Sequence, residues 1–509
     1  MINNLGTKFI NIASRKKNNK AIILNNESRT FHSLNLESDK ICLWLLKKNF
    51  STSDLVCISS EKSFFNFSLI IALLKLGITY VVLDLDSPIK RINQIIYQVK
   101  PKAIFLVKKN SIKIKYKNIF FKKDVDFSIK SKKINLKTYI SNVPSSVNAY
   151  LMFTSGSTGV PKGVAISHSK LLFFSEWCKD TFKINTSDRV TNLNPLFFDN
   201  SVFDIYGGLL NGASLVPLSK EDIINPLIAT DKLKKNKITI WFSVPSLIIY
   251  FQKFLMMRKE KLPYLKKIIF GGEGFPKKHL KKLYNSFPKK ISLFNVYGPT
   301  ECTCICSSYK ISKIDFSKGE MKRLTPLGKT LAKNFKYLIL NEKMKKVKNG
   351  EIGELYIGGD NVGNGYYNQN EETKSKFLQN PEHNSYIETF YKTGDLVYID
   401  KKTKLIYFSS RKDNQIKLNG YRIELDDVEN KLNLISGVKE GAVTFGNKNN
   451  ENEITAWVVS KLSEKIIFQK LSKLLPRYMV PKKILHIKFL PKNSNGKIDR
   501  KAIKNKYYD

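Results

Sequence analysis

Cysteine is scarce in this chain, with six in 509 residues. Three of them, Cys302, Cys304 and Cys306, alternate with other residues, so in a strand they would face one side of a sheet. No further Cys or His pair stands at a zinc-like spacing, which argues against a metal centre there. So few thiols over this length are expected to be unpaired and buried, in a reducing compartment. Long hydrophobic runs are lacking as well. LVCISS and FSLIIALLKLG are too short or too interrupted to cross a bilayer, so the chain is not expected to be embedded in a membrane. The opening MINNLGTKFINIASRKK has no apolar run ahead of its basic residues, so no secretory leader is read and a cytoplasmic location is expected. Acidic residues are in the minority, 43 against 87 Lys and Arg, for a formal net charge of +44. Such an excess is one mark of a nucleic-acid binder. Here the lysines are scattered along the chain, and Asn and Ile are also abundant. That pattern is a broad compositional bias, and no nucleic-acid partner is expected. A general, salt-sensitive attraction to acidic partners does follow.

What is present indicates layered α/β architecture. Hydrophobic cores stop growing near roughly 250–300 residues, so two or more folding units are expected. Residues 36–49 carry Leu36, Ile41, Leu43, Leu45 and Leu46 in an amphipathic helical pattern. Strands are expected over 55–59, 80–85 and 103–107, with a helix between the first two. The Lys-rich stretch 108–139 is expected to be a solvated edge with loops. Further strands are expected over 238–243 and 265–270, each running into a Pro, Gly or Ser turn of the kind that carries sites at strand ends. Around 337–370 the pattern changes to strand, Asn-Gly turn, strand, a small antiparallel unit. Two strand-like runs within 405–423 are separated by a charged joint. After them helix, strand, strand and helix follow, a compact α+β final domain of about 95 residues.

The sharpest chemical feature is LMFTSGSTGVPKGVAISH, residues 151–168. An apolar run leads into Thr154, Ser155, Gly156, Ser157, Thr158 and Gly159, and Lys162 follows. Small residues let a backbone approach phosphate, and free N–H and hydroxyl groups donate to it. The residue after the lysine is Gly163, so the GxxxxGK[ST] pattern is not met. A flexible Ser/Gly surface loop is the plain alternative.

TSGSTGVPKG resembles the signature of the adenylate-forming superfamily, which includes acyl-CoA synthetases, luciferases and nonribosomal peptide adenylation domains. Further motifs follow in the family's order: KLGITYVVLD (75–84), NVYGPTEC (295–302), GELYIGG (353–359), NGYYN (364–368), YKTGD (391–395), RKDNQIKLNGYRIE (411–424) and NSNGKIDR (493–500). The resemblance covers about residues 25–505 and implies a large domain, 1–410, a hinge, 411–413, and a small mobile domain, 414–509. It implies ATP and Mg2+ as cofactors. The loop Thr154–Gly159 with Lys162 would close on the ATP phosphates. Tyr297 would pack near adenine, Thr300 would contact phosphate, and Glu301 would hold magnesium, where a divalent ion eases the repulsion between phosphates and a carboxylate nucleophile. Asp395 would accept from both ribose hydroxyls; read alone, it is a turn residue beside Gly394. Arg411 would meet ribose and Arg422 phosphate. Asp413 would be the hinge, Gly420 would border an acceptor tunnel, and Lys497 would be the catalytic lysine, entering from the small domain to offset charge at the transition state. Lys162 and Glu301 complete the implied catalytic set. Ser410 stands where the family has Gly, and Asn493 where it has Thr.

The nature of the acid is implied by LFFDNSVFDIYGGLLNGASLVP, residues 196–217. Asp199 matches the aspartate that holds the α-ammonium in amino-acid-activating members. A carboxylate in an apolar pocket is costly unless a cation pairs with it; the alternative is a helix cap, since Asp-Asn-Ser-Val suits one. Asn200, Phe203, Phe242, Ile269, Gly271, Val296, Cys304 and Ile305 are the other pocket positions by the same resemblance. Val296 replaces a usual Gly or Ala and would raise the floor, favouring a small uncharged side chain. Nine residues follow Arg500 and no condensation-like segment precedes residue 25. The resemblance therefore implies a free-standing enzyme similar to D-alanine–carrier protein ligases, passing a small amino acid to an acidic phosphopantetheinyl carrier protein. A discrete peptide-synthetase adenylation enzyme for another amino acid, an acyl-CoA ligase and an inactive binding homologue are the alternatives.

Overall fold

The computed structural model describes residues 3–108, 114–129, 134–156, 159–287, 291–328, 335–448, 451–492 and 498–508. In strands Leu55–Ser59 and Thr79–Leu83 every residue is buried, as in a parallel sheet covered on both faces. The helix between them, Phe64–Leu76, is apolar on all sides and buried along nearly its whole length, so it belongs inside the molecule. Ser63 caps its start and Gly77, at φ +66°, ends it in the left-handed conformation. These strands lie in a six-stranded sheet ordered Ile119–Phe121, Ala103–Leu106, Leu55–Ser59, Thr79–Leu83, Asn148–Thr154, Lys162–Ser167. Only the last pair is antiparallel.

A second, eight-stranded sheet runs Ser307–Lys310, Ser292–Tyr297, Lys267–Gly271, Ile240–Ser243, Arg189–Asn192, Ser214–Pro217, Lys20–Leu24, Glu27–Thr30. It is parallel except at its two outermost pairs. A third sheet is antiparallel and built on the long strand Thr389–Ile399, with Gly353–Gly359, Phe377–Gln379 and Ile406–Arg411 against it and Phe335–Leu340 outside. One large apolar core joins all three. Parallel strands put their C-terminal ends on one edge, where sites form in such sheets. Thr154, Ser243, Gly271 and Tyr297 are such ends.

The smaller C-terminal domain begins with a hairpin, Gln415–Leu418 and Tyr421–Glu424. Helix Leu425–Asn433 follows, then strands Val438–Lys448, Glu451–Ser460 and Lys483–His486 in one sheet, with helices Glu464–Ser472 and Arg500–Tyr508. Its main core, including Ile423, Val428, Leu432, Val443, Ile454 and Ile467, is separate from that of the large domain.

The α/β architecture with a small final domain is as the sequence patterns imply. Some local expectations need correction. The helix expected over 36–49 runs Phe31–Lys47, because Thr30 accepts a capping bond from Ser33 N at 3.0 Å. Strand Thr79–Leu83 stops before Asp84, whose side chain closes a turn onto Asp86 N and Ser87. Strand Lys483–His486 was not expected; it pairs in parallel with Glu451–Ser460. The three alternating cysteines do not share a strand. Thr300–Cys302 forms a tight 3-10 turn, and Thr303 and Cys304 then take positive φ of 56° and 72°. All three thiols are buried and unpaired nonetheless.

Candidate active site

The strand ends surround a cleft, open to solvent, between the large domain and the hairpin of the small one. Asp199 lies on its wall, after Phe197 and Phe198 and ahead of the single helical turn Asn200–Val202. Its side chain makes no capping bond to that turn, so the cap alternative is not realised. Instead the Thr300 hydroxyl donates to its Oδ2 at 2.5 Å. Burial raises the pKa of Asp199 above the ordinary aspartate value, while the Thr300 bond and the positive charges of Lys417 and Arg422 pull it back down. A half-buried carboxylate beside Phe197 and Phe198 is suited to receive a cation.

The rest of that pocket is as expected in part. Asn200, Phe242, Gly271, Val296, Cys304 and Ile305 line the cleft. Val296 presses on Gly271, where an added Cβ would stand 2.6 Å from Val296 Cγ2. Phe203 is a correction: it is fully buried behind the wall, against Phe182 and Phe242, at the start of a widened π-helical turn Phe203–Gly208. Ile269 is likewise buried in the core and does not reach the cleft. The paired positive φ at Thr303 and Cys304 is the kind of local strain that collects at functional sites.

Across the cleft, Asp395 sits inside strand Thr389–Ile399, so it is not a turn residue. The Tyr297 phenol donates to its Oδ2 at 2.5 Å, and Arg411 Nη1 to its Oδ1 at 2.8 Å. Arg411 also donates to Thr393 O at 2.8 Å and grips Asp413 through Nε and Nη2, at 2.8 and 2.6 Å. That fork keeps the Asp413 pKa below the usual range despite burial that would raise it.

Glu301 is fully buried, and Arg422 Nη1 donates to both its oxygens, at 2.9 and 2.8 Å. Tyr366, from the NGYYN run, adds its hydroxyl at 2.7 Å. Burial alone would raise the pKa of Glu301, but Arg422 and Tyr366 hold it below the usual glutamate value. Magnesium is typically held by one or two carboxylates together with phosphate oxygens and waters, and Glu301 beside the Thr300 hydroxyl suits that. Among the described residues no group of three or more His, Cys, Asp or Glu forms a dedicated cage. With Arg422 in place both carboxylate oxygens are occupied, so the residues fit the ion only when the arginine withdraws.

In the Ser/Thr/Gly loop, Gly156 is crowded by Val160 O, 2.1 Å from an added Cβ, and Thr154 leaves its buried hydroxyl without a partner. Ser155 Oγ donates to Arg422 O at 3.0 Å and accepts from Glu424 N at 3.3 Å, tying the loop to the small domain. Lys162 pairs with Glu372 and lies 5.4 Å from the Tyr366 ring centre. Gly159 meets the side chains of Asp427 and Lys431. Ser157, Thr158, Asn493 and Lys497 lie outside the described residues.

Sequence reasoning assigned no role to Lys417. It lines the cleft, its ammonium 5.8 Å from the Tyr297 ring centre, and burial lowers its pKa while Asp395 and Asp199 act the other way. Hairpin register sets Lys417 directly opposite Arg422. Two cations facing each other repel unless anions face them, and that pairing was the available signal. Gly420, at the hairpin turn, also borders the cleft, as does Tyr478, whose ring stacks on Tyr421 at 4.0 Å.

Residues 9–367 match the AMP-binding enzyme family. The chain belongs to that family, the adenylate-forming enzymes. It is 30% identical to a D-alanine–D-alanyl carrier protein ligase of Bacillus cytotoxicus, over 96% of this chain and 97% of that one. It is 33% identical to bacitracin synthase 1 of Bacillus licheniformis over 96% of its own length, and spans 9% of that far longer protein. Among solved structures, it superposes with a TM-score of 0.86 and 22% identity on an NRPS protein containing adenylation and PCP domains, bound to a vinylsulfonamide inhibitor, covering 99% of this chain and 84% of that one. A Vibrio cholerae adenylation domain in complex with glycyl-adenosine-5'-phosphate gives 0.83 at 21% identity, covering 99% and 97%. The layered large domain and smaller C-terminal domain of this family member are those of adenylation-domain structures. Among the described residues, no helix is long and apolar enough to cross a membrane.

Proposed function

We propose that this adenylate-forming enzyme joins the carboxylate of a small amino acid to AMP, releasing pyrophosphate, and then passes the aminoacyl group to the phosphopantetheine thiol of a carrier protein. The observation that carries the amino-acid reading is Asp199, a half-buried carboxylate on the wall of an aromatic-lined cleft with Thr300 as its hydrogen-bonding partner. An α-ammonium would complete it. Val296 over Gly271 shortens the pocket and favours a side chain as small as that of alanine. Similarity to D-alanine–D-alanyl carrier protein ligases along 97% and 84% of their lengths supports both the substrate class and the acceptor.

In this reading ATP lies across the strand ends, with the ribose hydroxyls on Asp395 and the phosphates by the loop Thr154–Gly159 and Lys162. Magnesium, held by Glu301, would lower the repulsion between phosphates and the incoming carboxylate. Lys497 supplies the charge that offsets the in-line transition state. Residues 1–410 form the adenylating body, 411–413 the hinge about Asp413, and 414–509 the domain that turns between steps. Closure also keeps water from the mixed anhydride.

Similarity to peptide synthetases, at 33% identity for bacitracin synthase 1, favours a second reading, activation of another amino acid for peptide assembly. Pyrophosphate exchange driven by each of the twenty L-amino acids and by D-alanine separates the two. Activation of propionate as readily as alanine would overturn the ammonium pocket and point to an acyl-CoA ligase.

A further inference from the structure

Glu273 stands two residues beyond strand Lys267–Gly271, past Gly272, whose φ of +90° turns the chain sharply. It does not line the cleft. Its carboxylate accepts two backbone N–H bonds, one from each domain: Ser246 N at 2.6 Å, in the first turn of helix Pro245–Lys253, and Gly420 N at 3.2 Å, in the turn of the small domain's hairpin. The same turn is seated by shape. Gly420 has φ +80°, and a Cβ added to it would stand 2.4 Å from Val244 Cγ1. One short hairpin therefore carries both the turn that Glu273 holds and the opposed cations Lys417 and Arg422.

We propose that Glu273 is a positioning residue for the transfer half of the reaction: its carboxylate catches the hairpin turn at Gly420 and so favours the domain arrangement in which Lys417 and Arg422 enter the cleft. The proposal rests on the two-step reading above. For adenylation, Glu301 has to be released by Arg422, which requires the hairpin to withdraw and takes Gly420 away from Glu273. Glu273 then keeps only its bond to Ser246. Loss of the carboxylate thus penalises the docked arrangement and spares the withdrawn one.

Glu273→Gln keeps the size of the side chain but offers one acceptor where two N–H groups converge. The chain's own cysteines are buried, so cysteines placed at the exposed Lys234 and Lys465 accept a dye pair that reports the distance between the domains. With Glu273→Gln, the population at the docked distance should fall. Single-turnover transfer to pantetheine, from the preformed adenylate of whichever amino acid the wild type activates, should slow roughly 10- to 100-fold, the range for losing a charged hydrogen bond. Amino-acid-dependent pyrophosphate exchange should stay within roughly twofold of wild type. An unchanged dye-distance distribution overturns the proposal. So do equal losses in both half-reactions with a lowered Tm, which would make Glu273 a helix cap only. If wild-type enzyme shows no exchange with any amino acid, the functional reading fails on its own, and the dye distances still decide the role of Glu273.

Discussion

On the proposed reading, Asp199 is where substrate choice and proton chemistry meet. Removing its carboxylate should raise the KM for the amino acid in pyrophosphate exchange, leave ATP binding nearly unchanged, and blunt the rejection of deaminated analogues. Its raised pKa adds a pH signature. The empty site takes up a proton at a higher pH than free aspartate, and an ammonium binds only the ionised form. The KM should therefore rise as pH falls through that raised pKa, and binding should release protons over the same range. A pH-independent KM, or calorimetry showing no proton release, would count against Asp199 as the ammonium partner. In the same reading Val296 is the matching determinant of size. Val296→Gly should improve larger amino acids relative to alanine by about 1–3 kcal/mol in kcat/KM, read from a side-chain size series. At this scale the motif residues that contribute a charge or hydroxyl are brought together around one cleft: Thr300 meets Asp199, and Arg411 meets Asp395. The motifs failed for Phe203, because a large apolar residue suits a pocket wall and the core behind it equally.

Elements show why the small domain's hairpin was harder to read. The sequence pattern showed two strand-like runs within 405–423, and the second of them is folded on itself at Asn419–Gly420 into the hairpin Gln415–Leu418 and Tyr421–Glu424; a strand-like run says nothing of which body such a turn will touch. Register is decided by pairing, and only pairing reveals that Lys417 and Arg422 point the same way. The helices Phe31–Lys47 and Phe64–Leu76 were legible from periodicity and from continuous hydrophobicity, whereas their starts depended on the Thr30 and Ser63 caps. The hairpin turn gives a steric prediction. Gly420 has a left-handed backbone and no room beside Val244. Gly420→Val should keep pyrophosphate exchange but slow thiol transfer, measured in single turnover. The double variant with Val244→Ala should recover more of the rate than the strained backbone alone would permit if the Val244 contact, and not φ, is the main obstacle. Equal defects in single and double variants would assign the cost to the backbone.

At the scale of the whole molecule, the proposed two-step reading implies that the two domains cannot serve both half-reactions in one arrangement. Arg422 occupies both oxygens of Glu301, and Ser155 of the phosphate loop is bonded to the Arg422 and Glu424 backbone. In the proposed reading a metal-bound triphosphate would need the same carboxylate and the same loop. No single motif carries that conflict; it becomes visible only when residues more than a hundred positions apart are brought together. In the proposed reading Lys497, by its motif, serves adenylation, and would then be inside the site when the hairpin is outside. Lys497→Ala should then lower pyrophosphate exchange by roughly 10²–10³ or more, the cost of a well-placed charged donor. Supplied with preformed aminoacyl-AMP, the same variant should load a phosphopantetheinyl carrier at close to the wild-type rate. Asp413→Pro restricts the hinge torsion and should show the opposite bias, forming adenylate but transferring slowly. Because Asp413 also receives both forks of Arg411, Asp413→Ala is the needed control: it removes the carboxylate and leaves the backbone free. A transfer defect in Asp413→Pro that Asp413→Ala lacks locates the motion at this torsion. Equal losses in both steps for Lys497→Ala would sink the two-arrangement assignment and shift the search for the catalytic cation to Lys162, which would first have to leave Glu372.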